Sequence, residues 1–179
     1  MRLLRRAWKS ESGITLIELI IGIAIAGMLS LAVSMVFYQL FVVNASSSNR
    51  VVAVRQVQNA GYWISRDAVG AQVIVAENNP ETGDFLTFRW NDWDGLNYEA
   101  IYYFTYDEDR DINVLWRSYT VGDTDPVTTM VAEYIDVTAT TFLKPESIWV
   151  LTVKATVGSF PQPSSETRIY EIMPRPPSI

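Results

Sequence analysis

The chain of 179 residues contains no cysteine and no histidine. Without cysteine there is no disulfide framework and no thiolate to act as nucleophile or metal ligand. Without histidine the usual general base is missing, and with it the Ser-His-Asp and Cys-His catalytic sets and the commonest zinc sites. Only oxygen-ligand metals such as calcium fit the remaining donors. No proline occurs before Pro80, so nothing of that kind breaks a helix upstream of it. No charged residue occurs between Glu18 and Arg50.

That uncharged stretch is the most informative feature present. From Ile14 to Val43 the chain is almost wholly apolar, and Glu18 lies near its start. Thirty helical residues extend ~45 Å, against ~30 Å of bilayer hydrocarbon, so the run is long enough to span and then project. Arg2, Arg5, Arg6 and Lys9 precede it and are expected to stay cytoplasmic, which places the C-terminal part outside. A carboxylate within a span costs roughly 2.5–3.5 kcal/mol near the helix centre and less near the interface, so a charge kept there usually has a partner.

Two plainer readings of the segment compete. A cleaved secretory signal would use Ala24-Ile25-Ala26 as its processing site, but Glu18 would then sit inside the apolar core and apolar sequence continues well past Ala26. A simple signal anchor explains the length and leaves Glu18 without a role.

Charge is divided unevenly along the chain. Residues 1–13 hold four basic groups and one acid, and the remaining ten basic and nineteen acidic residues leave a net charge of −9. An acidic body gives no strong nucleic-acid signal, since duplex binding depends on neutralising phosphates.

After the span comes the polar patch Asn44-Ala45-Ser46-Ser47-Ser48-Asn49, then Val51, Val54, Val57, Gly61, Ile64 and Ala68 at helical spacing. One helix from about Ile14 to Ala71 is expected, its second half amphipathic and packed on a sheet. Beyond Gln72 the period changes to two. Expected strands are Phe85–Trp90, Glu99–Tyr106, Asn113–Thr120, Ala132–Thr141, Ser147–Val157 and Thr167–Met173, rich in β-branched and aromatic residues. Turn-rich connections favour antiparallel pairing, giving an α+β fold with a long helix against an antiparallel sheet. The expected divisions are a cytoplasmic leader at 1–13, a membrane helix at 14–43, its amphipathic continuation at 44–71, a sheet domain at 72–173 and a proline-rich tail at 174–179.

Other clusters offer little chemistry. Asp107, Asp109 and Asp111 alternate like the first ligands of a calcium loop, but Ile112 and Ser118 stand where an EF-hand needs Gly and Glu. A solvated hairpin turn is expected there. Asp92 and Asp94 flank Trp93 ahead of Gly95, again a turn; paired acids can hydrolyse glycosides, but no spacing here identifies such a pair. Trp90, Trp116 and Trp149 are expected to pack on the sheet, and Trp93 to be exposed. No catalytic residue, metal or cofactor is assigned.

Gly13-Ile14-Thr15-Leu16-Ile17-Glu18-Leu19, with its basic leader and long apolar run, resembles the N-terminal signal of type IV prepilins and type II secretion pseudopilins. The resemblance implies a pilin-type fold and a non-enzymatic filament subunit. It implies that a prepilin peptidase cuts after Gly13, that the new N-terminus on Ile14 is methylated, and that Glu18, the fifth mature residue, is an assembly contact for a neighbour's Ile14 amine. Implied partners are that peptidase, minor and major pilins or pseudopilins, and the lipid bilayer before assembly. The location would be the cytoplasmic membrane, then an extracytoplasmic filament. Met35 stands where abundant shaft subunits often carry Pro, and Tyr62-Trp63-Ile64-Ser65-Arg66-Asp67 with the strand-rich body looks like minor pseudopilins of the J type. The competing class is a membrane-anchored extracellular binding or sensory domain that forms no filament.

Overall fold

The computed structural model describes residues 14–77, 84–159 and 163–174. Gly13 and the end of the chain from residue 175 lie outside the described residues. One helix, α1 (Leu16–Gly70), is followed by eight strands: β1 (Val73–Ala76), β2 (Asp84–Asn91), β3 (Asn97–Asp107), β4 (Ile112–Val121), β5 (Val127–Glu133), β6 (Thr141–Leu143), β7 (Trp149–Val157) and β8 (Ser164–Ile172). The chain divides into two compact units between Asn44 and Ala45.

In the first unit the helix is bare. Leu16, Ile17, Leu19, Ile20, Leu29, Phe37 and Phe41 are all exposed. A window of mean hydropathy 2.5 with none of its residues buried makes the helix long and apolar enough to cross a membrane. Side chains of this kind gain about 25 cal/mol per Å² when removed from water, so a helix apolar on every side needs lipid or other helices around it.

In the second unit the rest of α1 packs on antiparallel sheets, an α+β pilin-like architecture. Ala53, Val57, Ala60, Gly61, Ile64, Asp67 and Ala68 form its buried stripe, spaced at three and four residues as one helix face requires. Val51, expected on that stripe, is exposed; Ala53 occupies the buried line instead. Small residues at Ala53, Ala60, Gly61 and Ala68 let the helix lie close on the sheet.

The strands form two sheets rather than one. Strands β1 to β5 run as a five-stranded meander in sequence order, and β6 to β8 as a three-stranded one. The core lies between the helix and the inner sheet faces: Leu86, Phe88, Ala100, Tyr102 and Leu115 from the first, Phe142, Leu151, Val153 and Ala155 from the second. Phe88 meets Tyr102 and Phe142 edge-on, with ring centroids 5.9 and 6.0 Å away, a favoured aromatic geometry.

Ala132–Thr141, expected as one strand, is where the chain changes sheets. β5 starts earlier, at Val127, and stops at Glu133, because Tyr134 turns to φ 60° and leaves the ladder. Ile135 then bridges to Ala155 of β7. The Asp136 carboxylate closes the following turn, accepting from the Ala139 N–H at 3.2 Å and the Thr138 hydroxyl at 2.8 Å. β1, four residues long, is not among the expected strands, and β6, three residues long, meets the expected Ala132–Thr141 only at Thr141.

Gly61 is required by a close approach. A Cβ there would run into the Tyr170 ring of β8, whose hydroxyl donates to the Val57 carbonyl at 3.0 Å. Gly61→Ala is therefore expected to displace Tyr170 and lower stability by about 1–3 kcal/mol, as overpacking does. Thermal melts check this: with Tyr170 already replaced by Ala, the added cost of Gly61→Ala should largely vanish.

Candidate functional site

Helix α1 begins at Leu16, so Thr15 is its N-cap and Glu18 its third residue. The Glu18 Oε2 accepts from the Thr15 N–H at 3.0 Å and from the Thr15 hydroxyl at 2.9 Å. The Glu18 N–H donates in return to Thr15 Oγ1 at 3.3 Å. This reciprocal pair is a capping box, which satisfies helix N–H groups that have no carbonyl partner. It also sets a negative charge at the positive end of the helix dipole.

Thr15 was passed over as a functional residue in the sequence. The signal was available, since Thr-x-x-Glu directly before an apolar run is the capping-box signature. A carboxylate offers about four acceptor positions. The cap uses one oxygen of Glu18 for two donors, which leaves the other for a donor from elsewhere. Ile14 stands just ahead of the cap and is 77% exposed, uncovered by the described residues.

Residues 8–34 match the prokaryotic N-terminal methylation motif. The motif takes in Lys9 at the end of the basic leader, the cap and the first part of the apolar helix. It supports a type IV pilin-like or pseudopilin-like subunit, processed by a prepilin peptidase and assembled with other such subunits, and it fits single-pass membrane anchoring. The β domain lies outside the motif. No curated protein and no solved structure shows significant similarity to the chain.

A second constellation lies in the core of the second unit. Asp67, from the buried stripe of the helix, accepts at Oδ2 from Arg117 Nε at 2.6 Å and from the Tyr102 hydroxyl at 2.7 Å. Tyr102 and Arg117 face each other across β3 and β4. The Arg117 guanidinium also lies 4.2 Å from the Tyr119 ring centroid and 5.2 Å from that of Trp63. Burial pushes the Tyr102 hydroxyl well above its ordinary pKa, with the Asp67 charge adding to it. Burial works against the Arg117 charge, and Asp67 more than offsets it. All three groups are mutually satisfied, so the cluster clamps helix to sheet and leaves no free nucleophile or base.

The remaining candidates are turns. Asp107 accepts from the backbone N–H groups of Asp109 and Arg110, at 3.1 and 3.2 Å, and Asp111 accepts from the Tyr106 hydroxyl. Their carboxylates serve the hairpin, and among the described residues no group of three such ligands is placed to hold a metal ion. Trp93 stands at the tip of the β2–β3 turn, 93% exposed. Trp90, Trp116 and Trp149 are half-buried on the sheets.

Proposed function

We propose that the chain is a minor pilin or pseudopilin, a structural subunit that starts or caps a filament. It is made as a membrane prepilin and cut after Gly13, and the exposed amine of Ile14 is methylated. Glu18 then pairs with the Ile14 amine of a neighbouring subunit as the apolar helices pack together. The observation that carries this is the capped start of the helix within the methylation motif. Glu18 is held at the point where the mature chain would begin, on a helix whose apolar surface is left exposed by the described residues.

Met35, in place of a helix-breaking proline, and the uninterrupted helix support the minor role over an abundant shaft subunit. The work of such a subunit is contact, not catalysis.

Co-expression with a prepilin peptidase tests the processing step. Intact mass should fall by the first thirteen residues, and Gly13→Ala should abolish the drop, because a Cβ at the cut site obstructs a peptidase that selects glycine. An uncleaved wild-type chain beside an active peptidase overturns the proposal.

A further inference from the structure

From Asn44 to Gly70 the helix has one acidic residue, Asp67, and it is buried. The exposed side carries Arg50, Arg55 and Arg66 together with Val51, Tyr62 and Val69. Arg55, Tyr62 and Arg66 follow one another at seven- and four-residue spacing and so share a stripe. On a body of net charge −9 this is a segregated basic face. Between it and β8, the outer strand of the three-stranded sheet, runs an open trough of about 480 Å³, lined by Gly61, Tyr62, Arg66, Val69, Arg168 and Tyr170.

The charge in this trough is not cancelled from within. Asp67 is already engaged by Arg117 at 2.6 Å, and Arg66 reaches its other oxygen only at 3.4 Å. Two guanidinium groups thus share one carboxylate, and the surplus positive charge stays on Arg66, the exposed member. Arg168 has Glu166 at 3.5 Å, a loose and part-exposed pair.

The complementary chemistry lies on the same chain. The β2–β3 turn presents Trp93 between Asp92 and Asp94, with the exposed Leu96 just after them. The β4–β5 turn beside it adds Asp123 and Asp125, tied in by the Gly122 N–H to the Asn97 carbonyl at 2.7 Å. No basic residue occurs between Arg89 and Arg110, nor between Arg117 and Lys144. The Trp93 turn is preformed. Asp94 accepts from the Leu96 N–H at 2.9 Å and the Tyr98 hydroxyl at 2.8 Å, and the Gly95 N–H donates to the Asp92 carbonyl at 3.0 Å. An exposed tryptophan on a stiff turn loses little freedom on docking.

We propose that the trough receives the Trp93 turn of a second copy of this chain. The indole anchors on Tyr62, Val69 and Tyr170 beside two guanidinium groups, where a cation over an aromatic face is favoured. Asp92, Asp94, Asp123 and Asp125 face the basic helix stripe and steer the approach. The two patches share no residue, so the contact is head-to-tail, not two-fold. The inference rests on the filament-subunit reading for its purpose, and it names a contact between domains rather than between apolar helices.

The absence of cysteine makes the test clean. Two differently tagged full-length copies are expressed together in membranes, one carrying Gln58→Cys beside the trough and the other Thr124→Cys beside the Trp93 turn. Mild oxidation should link the mixed pair about tenfold above a control pair of Ser147→Cys with Thr124→Cys. Arg66→Glu with Arg168→Glu in the first copy should remove the excess, and Asp123→Arg with Asp125→Arg in the second should restore it. The link should also form in a Gly13→Ala background, which blocks processing, so failure of the contact and failure of the filament reading separate. The proposal is overturned by a yield at the control level or by indifference to the arginine changes. It is equally overturned if Thr124→Cys copies link to each other as readily, or if Gln58→Cys links to a different protein instead.

Discussion

Asp67→Ala is expected to destabilise the β domain by about 3–5 kcal/mol, the cost typical of breaking a buried ion pair from one side. Removing the carboxylate leaves Arg117, with only 6% of its side chain exposed, without its counter-charge. It also strands the Tyr102 hydroxyl, which donates to the same oxygen. The Trp63 and Tyr119 rings beside the guanidinium hold back part of the loss, since cation–π contacts contribute about 0.5–2 kcal/mol. Against a usual domain stability of about 5–15 kcal/mol, the remainder is a large fraction. Denaturant unfolding followed by tryptophan fluorescence measures it. Asp67→Asn should fall between, because the amide oxygen still accepts from Tyr102 but brings no charge. Replacing the set together, Asp67→Leu with Arg117→Met and Tyr102→Phe, should be close to neutral, because the desolvation cost of the charges goes with their attraction. If Asp67→Ala cost no more than a surface change, about 0.5 kcal/mol, the cluster would not be the clamp its geometry describes.

The cluster also marks where reading the sequence runs out. The helix was legible from end to end, because an apolar run and then a three-and-four stripe continue without proline. Asp67 lies beside that stripe, and nothing in the local pattern gives it a buried role. Its partners are 35 and 50 residues away, and no local spacing records a pairing at that range. The long strands β2, β3, β4, β7 and β8 were legible because two-residue alternation over eight or more residues is hard to produce otherwise. The stretch from Val127 to Leu143 was misread for a physical reason. Its composition favours strand throughout, and the break is made by a tyrosine at positive φ, a conformation that no residue type but Gly, Asn or Asp announces. The short edges β1 and β6 have too few residues for any period to show. At the helix start the outcome was different. Gly13, Ile14 and Glu18 are singled out only by the resemblance to prepilin leaders, whereas the capping relation of Thr15 to Glu18 is local and written in the sequence itself.

That relation decides how the Glu18 prediction must be tested. Glu18→Val should leave cleavage intact and impair assembly or methylation, yet it removes two things at once. One is the cap, whose loss costs a helix terminus about 0.5–2 kcal/mol. The other is the proposed partner of a neighbour's Ile14 amine, whose absence leaves a charge buried among apolar helices at about 3–5 kcal/mol, on the order of 100-fold or more in the assembly equilibrium. Glu18→Gln keeps an oxygen able to accept from Thr15 but carries no charge. Thr15→Ala removes the cap hydroxyl and leaves the charge in place. Incorporation into sheared filaments, scored beside intact mass for cleavage and methylation, separates the two contributions. The expected order is near-normal incorporation for Thr15→Ala and severe loss for both Glu18→Gln and Glu18→Val, with the leader removed in all three. The reverse order, with Glu18→Gln incorporated like the natural chain and Thr15→Ala defective, would make Glu18 a helix cap and nothing more. A carboxylate can serve both donors, because its two oxygens point different ways. The cap then has a use beyond stability: it fixes the rotamer of Glu18 before any partner arrives, so the charge meets the neighbouring amine already oriented and without further loss of side-chain freedom.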